Sequence, residues 1–209
     1  MKMSDAICFP IVVSGPSGVG KTTLCHGLLK KDRQLVFSIS VTTRQPREGE
    51  VHGKDYFFVT QDEFERMRDA GELAEWAFVH GKYYGTPKKW LDEKLSSGFS
   101  VLLDIDVQGG VQIMKAYPGA VSIFVVPPSF AVLEQRLRGR GSDDDQSVRL
   151  RLANAKKEME YIEKYGFIVV NDTIEDAVWR MMCIVSAERL RRERVLDGKT
   201  WQDIVGLRS

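Results

Sequence analysis

The chain has 209 residues, 43% hydrophobic and 28% charged, which suits one domain with a sizeable buried core. Its 30 Lys and Arg residues are balanced by 29 Asp and Glu residues. A general nucleic-acid binder typically carries a clear basic excess, so any anion site is expected to be local. No apolar run approaches the roughly 20 residues that span a bilayer, and the N-terminus lacks a signal-peptide core. We therefore expect a cytoplasmic protein that binds neither nucleic acid nor membrane.

The cysteine pattern argues against a disulfide framework or a zinc site. Cys8, Cys25 and Cys183 are odd in number and far apart, and none belongs to a C-x-x-C pair. We therefore expect reduced thiols that behave as small buried hydrophobic residues in a reducing compartment.

Short β-branched runs alternate with helical patterns along the chain. Five of these runs predict buried strands, at residues 9–13, 36–40, 101–105, 121–126 and 167–170. Their near-continuous apolarity is typical of a parallel sheet that is covered on both faces. Helical stretches lie between several of them, so the sequence predicts an α/β core with a parallel sheet flanked by helices.

Residues 40–86 interrupt this rhythm, because they are richer in glycine, aromatic and charged residues. Short strand-like pieces lie at 56–59 and 77–85, and between them Thr60 and Glu63 form a capping-box pattern. We interpret this region as an inserted lobe of mixed α and β structure.

The second half of the chain carries further helix signals. Helices are predicted to begin at Thr86-Pro87 and near Ser129, and to extend over 147–163 and 173–196. At the first of these, we expect the Thr86 hydroxyl to cap the helix and Pro87 to occupy its first turn. The glycine-rich, charged segment 138–147 predicts a mobile loop. Within it, Asp143 to Asp145 could form a metal cluster, but they are better interpreted as acidic residues that open the next helix.

A phosphate-binding motif follows the first predicted strand. The stretch "GPSGVGKT" fits G-x-x-x-x-G-K-[ST] in full, between a strand and a helix as the motif requires. The glycines let backbone N–H groups turn toward phosphate oxygens, Lys21 reaches the β- and γ-phosphates, and the Thr22 hydroxyl is suited to Mg²⁺. The predicted ATP-binding residues here are Gly15, Pro16, Ser17, Gly18, Val19, Gly20, Lys21, Thr22 and Thr23.

Several classes of protein share this motif, so the acceptor of the phosphate must be found elsewhere. Asp106 and Gly109 fit the D-x-x-G pattern of GTPases, but the guanine-reading Asn-Lys-x-Asp motif of that class is not in the sequence. A pattern with two fixed positions is weak evidence, so a kinase is the favoured interpretation.

The stretch "VTTRQPREGE" places Arg44 and Arg47 on one predicted loop. Two guanidinium groups there are suited to a phosphate, which they bind bidentately. Tyr56 and Tyr84 lie in the same lobe and offer phenolic hydroxyls. The other residues from 45 to 50 are interpreted only as the turn that presents the two arginines.

Five motifs occur in the order in which guanylate kinases carry them: "GPSGVGKTT", "SVTTRQPREGEVHGKDYFF", "AEWAFVHGKYYGT", "LLDIDVQG" and "RLRGRG". The chain resembles this family over most of residues 9–190. The resemblance implies reversible transfer of the γ-phosphoryl group of ATP to GMP, giving ADP and GDP, with Mg²⁺ as cofactor. It also implies a P-loop core (1–36, 95–138 and 156–209), a GMP-binding lobe (37–94) and a lid (139–155).

The resemblance places site residues on matching positions. Guanine contacts fall on Ser40, Glu75, Thr86 and Asp104, and GMP phosphate contacts on Arg44, Arg47, Tyr56 and Tyr84. Catalytic cations fall on Lys21, Arg44, Arg136, Arg140 and Arg151, and a contact with the adenine of ATP falls on Asn171. The chemistry of Glu75 fits independently, because a carboxylate accepts from guanine N1–H and N2–H₂ but would face a lone pair on adenine.

Two alternatives remain at this point. One is a kinase for another monophosphate or a ribosyl phosphate. The other is a guanylate-kinase-like binding module that has lost catalysis, although the intact Gly20, Lys21 and Thr22 disfavour it. The sequence leaves the oligomeric state open.

Overall fold

The structure is a computed structural model that describes residues 7–79, 81–139, 145–196, 199 and 201–206. Its strands are β1 (Pro10–Ser14), β2 (Leu35–Phe37), β3 (Val41–Thr42), β4 (Phe57–Phe58), β5 (Leu73–Val79), β6 (Lys82–Pro87), β7 (Ser100–Asp104), β8 (Val121–Val126) and β9 (Phe167–Val170). Its helices are α1 (Lys21–Lys31), α2 (Gln61–Asp69), α3 (Lys88–Ser96), α4 (Val107–Ala116), α5 (Phe130–Arg138), α6 (Asp145–Met159), α7 (Ile174–Arg189), α8 (Arg192–Val195) and α9 (Trp201–Ile204), with a 3-10 turn at Ile162–Lys164.

A five-stranded parallel sheet in the order β2-β7-β1-β8-β9 forms the core. Every residue of β1 and β8 is buried, as the continuous apolar runs predict. Alternate residues of β1 enter two apolar clusters: Ile11 packs with α1 and α7, and Val12 packs with α3 and α4. The sheet therefore lies between two helical layers.

A second, mixed sheet in the order β4-β3-β6-β5 forms the inserted lobe. β3 and β4 are parallel, whereas β6 is antiparallel to both β3 and β5. Phe64 of α2 is fully buried and stacks on the ring of Tyr83 in β6. The lobe thus has its own apolar packing, separate from the two clusters of the core.

The five predicted core strands are confirmed, but two strand boundaries are wrong. The strand predicted at 36–40 ends at Phe37. The piece predicted at 77–85 is a hairpin, in which β5 and β6 are joined by a turn at Gly81 with a φ of 77°. Only a residue that tolerates positive φ makes so sharp a reversal readily, and the sequence reading missed it.

The helix caps are confirmed at two places and wrong at a third. Thr60 accepts a hydrogen bond from the Glu63 N–H, and Ser129 accepts one from the Val132 N–H. Thr86 is not a cap: it belongs to β6, and Pro87 occupies the N-cap of α3 without a side-chain hydrogen bond. The Thr86 hydroxyl instead donates a hydrogen bond to the side chain of Glu75 at 2.7 Å.

The predicted helix over 173–196 is too long. α7 begins after its cap Thr173 but ends at Arg189, and Arg191 is extended at ψ 133° before the short α8. The break lets Arg191 and Arg194 converge on the buried carboxylate of Glu188 at 2.7 and 3.1 Å. A buried carboxylate needs such partners, and they are not visible in a helical pattern.

The expectation that all three cysteines are buried is wrong, and the predicted loop 138–147 is described only in part. Cys25 is buried, but Cys183 is exposed on α7, so the three thiols are not uniformly buried. The predicted mobile loop 138–147 is helical at both ends, and its middle, residues 140–144, lies outside the described residues. Asp145 opens α6 as predicted. Within the described ranges, no helix is long and apolar enough to cross a membrane.

Candidate active site

The loop between β1 and α1 forms a tight cradle at the carboxyl edge of the core sheet. Gly15 has a φ of 143°, and a Cβ there would lie 2.2 Å from the carbonyl oxygen of Val125. Gly20 has a φ of 98°, and a Cβ there would lie 2.6 Å from the side-chain amide of Asn171. Both positions require glycine, because the neighbouring backbone and core leave no room for a side chain.

The start of α1 is electropositive. The helix begins at Lys21 and has no acidic residue in its first turn, so its N-terminal dipole is not neutralised. The Lys21 ammonium lies across the cradle, where it donates to the carbonyl oxygens of Gly15 at 2.7 Å and Pro16 at 3.2 Å. This is an environment suited to bound phosphate.

Two oxygen-bearing side chains meet beside the cradle. Asp104 ends β7, which is the neighbour of β1 in the sheet, and its carboxylate accepts a hydrogen bond of 2.5 Å from the Thr22 hydroxyl. Parallel strands bring their carboxyl ends to one edge, which explains why residues 82 positions apart meet. A hydroxyl and a carboxylate together are the oxygen ligands that Mg²⁺ prefers.

Asn171 and Arg136 hold the phosphate loop at Val19. The Val19 carbonyl accepts from Asn171 Nδ2 at 2.7 Å and from an Arg136 guanidinium nitrogen at 3.3 Å. Arg136 also donates to the Asn171 carbonyl at 3.0 Å. Asn171 is buried, with 4% of its surface exposed. In this structure both side chains therefore brace the phosphate loop.

The arginine loop of the inserted lobe is organised by Glu50. Arg44 binds the two oxygens of Glu50 with two nitrogens at 2.8 and 2.9 Å, and Glu50 also accepts from the Arg47 N–H at 2.7 Å. These bonds raise the pKa of Arg44 and lower that of Glu50. The interpretation of Glu50 as merely part of a turn is wrong, because its carboxylate fixes both arginine positions.

Aromatic side chains form a wall around the Arg44 guanidinium. Its central carbon lies 5.2 Å from the ring centre of Tyr56 and 5.7 Å from that of Phe58. Tyr84 packs edge-on against Tyr56, with ring centres 6.3 Å apart. Burial raises the pKa of Tyr56, so its hydroxyl remains protonated and able to donate near neutral pH.

Glu75 is the most unusual carboxyl group of the site. Only 3% of its surface is exposed, and its Oε1 accepts from the Thr86 hydroxyl at 2.7 Å. Burial raises its pKa to about 8, despite the opposing effect of the Thr86 bond. Its Oε2 lies against α4, where a Cβ on Gly109 would be only 2.3 Å away. The glycine of the D-x-x-G pattern, Gly109, thus makes space for Glu75.

Three further predicted site residues, Ser40, Arg47 and Arg151, are at least partly exposed. Ser40 is half-buried, and its carbonyl accepts from the Phe57 N–H at 2.9 Å. Arg47 is exposed on its loop, and Arg151 is half-buried on α6. Arg140 lies outside the described residues. Its role as a catalytic cation, which the resemblance implies, therefore stays a prediction.

Sequence reasoning missed three residues that shape the site. Glu50 and Gly109 are two of them, and the third is Glu158 of α6, whose carboxylate accepts from the Ser17 N–H of the cradle at 3.2 Å. Glu158 is 141 residues from its partner, and no local pattern marks such a contact. Glu50 was detectable in principle, because a carboxylate three and six residues from two arginines is a candidate ion-pair partner.

The central strand of the parallel sheet, β1, leads through a P-loop into α1, and a mixed sheet forms an inserted lobe, which together define a P-loop nucleotide-binding fold. The family model described as guanylate kinase matches residues 8–188. The chain therefore belongs to the guanylate kinase family, as the motif order predicts, and it is an enzyme of the nucleoside monophosphate kinase class.

Individual relatives agree with this assignment. The guanylate kinase of Geobacter sulfurreducens is 48% identical over 186 residues, which cover 89% of this chain and 92% of the relative. That of Clostridium acetobutylicum is 46% identical over 187 residues, covering 90% and 89% of the two chains. The crystal structure of guanylate kinase from Anaplasma phagocytophilum superposes with a TM-score of 0.75 at 37% identity and covers 92% of each chain.

Proposed function

We propose that this protein transfers the γ-phosphoryl group of ATP to GMP, reversibly forming ADP and GDP. The observation that carries the proposal is a buried carboxyl group, Glu75, bonded to the Thr86 hydroxyl at 2.7 Å, in a protein with an intact P-loop. The P-loop is suited to the phosphoryl donor, ATP. The Glu75 pocket is suited to a base that carries two adjacent hydrogen-bond donors.

Guanine selection follows from the hydrogen-bonding edge of the base. Guanine N1–H and N2–H₂ favour the ionised form of Glu75, which accepts from both. The Ser40 hydroxyl is suited to donate to O6, because the single Thr86 proton is already donated to Glu75. Adenine presents an acceptor at N1 and a donor at N6, so it would leave the buried carboxylate against a lone pair. An unpaired buried polar group costs about 1–3 kcal/mol, and more when it is charged, which gives strong discrimination.

The acceptor phosphate is proposed to bind the guanidinium groups of Arg44 and Arg47 and the hydroxyls of Tyr56 and Tyr84. Glu50 occupies two nitrogens of Arg44, which fixes the plane of that guanidinium. A guanidinium held in one plane loses less side-chain entropy when it binds an anion. Glu50 is therefore proposed to orient the phosphate clamp.

The transfer itself needs alignment and positive charge, and it needs no general base. The acceptor is already an oxyanion, because the second pKa of a phosphate monoester is about 6. Lys21 is proposed to stay in contact with the phosphoryl group during its transfer. The arginines proposed to neutralise the negative charge of that group are Arg44, Arg136, Arg140 and Arg151. Cations placed around the three equatorial oxygens stabilise the charge of the transition state.

Mg²⁺ is proposed to accompany ATP. The Thr22 hydroxyl and the Asp104 carboxylate, 2.5 Å apart, fit this ion in chemistry and in number, since Mg²⁺ in kinases takes one or two protein oxygens beside phosphates and water. When bound, Mg²⁺ neutralises phosphate charge. The Thr22 bond favours a metal-side role for Asp104, and a contact between Asp104 and guanine stays a prediction.

The rest of the donor site is proposed to comprise the cradle residues 15–23. Asn171 is assigned a supporting role there, since its amide holds the Val19 carbonyl, and its contact with adenine stays a prediction. We further propose the division into core, GMP-binding lobe (37–94) and lid (139–155). Closure of the lobe and lid would exclude water, which otherwise hydrolyses ATP. The three free thiols suit a reducing compartment, so the cytoplasm is the proposed location.

A substrate panel tests the proposal. ADP release is measured with ATP, Mg²⁺ and each of GMP, AMP, CMP, UMP and dTMP, and the highest kcat/KM is expected with GMP. Faster turnover of another monophosphate would contradict guanine selection. Tight GMP binding without any turnover would instead support the alternative of a binding module.

A further inference from the structure

A side-chain amide of the core holds the backbone of the strand that carries Glu75. Gln112 lies on α4, its Oε1 accepts from the Trp76 N–H at 3.2 Å, and its Nε2 donates to the Trp76 carbonyl at 2.7 Å. β5 is an edge strand of the lobe sheet, so it has no neighbouring strand on one side within the described residues. The Gln112 amide therefore bonds to this edge as the peptide group of another strand would.

The contact lies next to Glu75. Trp76 follows Glu75 directly, and the Glu75 carboxylate packs on Gly109, three residues before Gln112 on α4. Residues three apart share one face of a helix. One face of α4 therefore contacts β5 twice, through an amide that binds the strand backbone and through a glycine surface that receives the Glu75 side chain.

The hydrogen bonds between β5 and β6 do not by themselves fix the backbone around Glu75. The pairing of β5 with β6 shifts register between Leu73 and Glu75, so the hydrogen-bond pattern is irregular on the N-terminal side of Glu75. The Gln112 bonds add a constraint from the core, immediately after the irregularity. The depth of the Glu75 carboxylate in its pocket is therefore set by α4 as well as by the lobe.

We propose that Gln112 is a positioning residue for guanine recognition, which rests on the proposed function. It touches neither substrate nor reacting atoms; it holds β5 so that both Glu75 oxygens stay at the positions reached by N1–H and N2–H₂. A carboxylate that is displaced or tilted loses one of these two bonds first. The selectivity that depends on the 2-amino group is therefore the property most sensitive to Gln112.

The test replaces Gln112 by methionine, which has similar length and helix propensity but cannot make the two bonds. The matched control is Gln61→Met, because Gln61 lies in the same lobe on an exposed face and bonds only to Glu65 among the contacts described. The kcat and KM for GMP, inosine monophosphate and ATP are measured together with the melting temperature. Inosine monophosphate lacks the 2-amino group, so it isolates the second Glu75 bond.

For Gln112→Met we expect the KM for GMP to rise about 5- to 10-fold and the KM for ATP to change by less than about two-fold. The ratio of kcat/KM for GMP to that for inosine monophosphate should fall about five-fold, whereas Gln61→Met should leave it unchanged. A purely structural role would lower only the melting temperature. A folded variant with wild-type KM for GMP and wild-type discrimination overturns the proposal.

A second variant keeps the test decisive if Gln112→Met does not fold. Gln112→Glu retains an acceptor for the Trp76 N–H but cannot donate to the Trp76 carbonyl, so the same fall in discrimination is expected, and its absence overturns the proposal. The wild-type rate with GMP tests the proposed function separately. Failure of the Gln112 proposal leaves that rate intact.

Discussion

Lys21 is the residue whose side chain most directly tests the phosphate cradle. We expect Lys21→Ala to lower kcat by at least about 100-fold, because it removes a cation from the transferring phosphoryl group. The fold should persist, since the Lys21 ammonium bonds to two loop carbonyls and not to the core. Steady-state kinetics with circular dichroism measure both effects, and Lys31→Ala at the exposed end of α1 is the control. Retention of most activity would refute the role of Lys21.

Replacing Arg44 tests the proposed binding site of the acceptor phosphate. Arg44→Ala should raise the KM for GMP by about 10- to 100-fold and the KM for ATP far less, because the guanidinium is assigned to the acceptor phosphate. The exposed Arg33 offers a control substitution, Arg33→Ala, that keeps the change in net charge the same. Equal effects on the two substrates would show that Arg44 acts on the fold or on the donor.

Glu75 should make stability depend on pH. Its pKa is raised from 4.5 to about 8, so the neutral form is favoured in the folded state. The stabilisation is fully present below pH 4.5 and is lost as the pH rises to about 8, at up to about 1.4 kcal/mol per pH unit. Glutamine at position 75 does not titrate. In urea unfolding, the free energy of unfolding of wild type should therefore fall relative to that of Glu75→Gln from pH 6 to about 8 and then level off. A constant difference would contradict the raised pKa.

At the scale of elements, α4 and β5 form the junction that the guanine pocket depends on. Alanine is normally better than glycine inside a helix by roughly 1 kcal/mol. In Gly109→Ala, however, the new Cβ would lie 2.3 Å from the Glu75 carboxylate. We expect this variant to lose GMP affinity about 10-fold or more, as measured by calorimetry, in spite of the better helix propensity.

The control is Gly119→Ala, in the turn that follows α4. A Cβ on Gly119 would meet its nearest neighbour at 3.7 Å, an ordinary contact, so GMP affinity should not change. If Gly109→Ala bound GMP as tightly as the control does, the packing of Glu75 on α4 would not matter for recognition.

The sequence predicts elements well where the signal is local. The buried runs give the five core strands, and "GPSGVGKT" gives the cradle with its strand and helix. It fails at Thr86, because a threonine before a proline looks like a helix cap until the partner strand shows that its hydroxyl bonds to Glu75. The 77–85 hairpin was missed for a similar reason, since the turn at Gly81 lies between two apolar runs that read as one.

At the scale of the whole molecule, the parts of the site that escaped prediction are contacts between distant segments. Gln112 reaches Trp76 over 36 residues, and Thr22 reaches Asp104 over 82. Such contacts depend on which strands become neighbours in the sheet, which is a global property. The resemblance to guanylate kinases supplied site positions that spacing did not, and the family match over residues 8–188 confirms that resemblance.

The most direct measurement follows the phosphoryl group itself. ATP labelled on its γ-phosphate is incubated with the protein, Mg²⁺ and an equimolar mixture of GMP and AMP, and the labelled products are separated. We expect the label to appear in GDP, with one ADP formed for each GDP. Label that appears mainly in ADP or in inorganic phosphate, while GMP is present, would contradict this expectation.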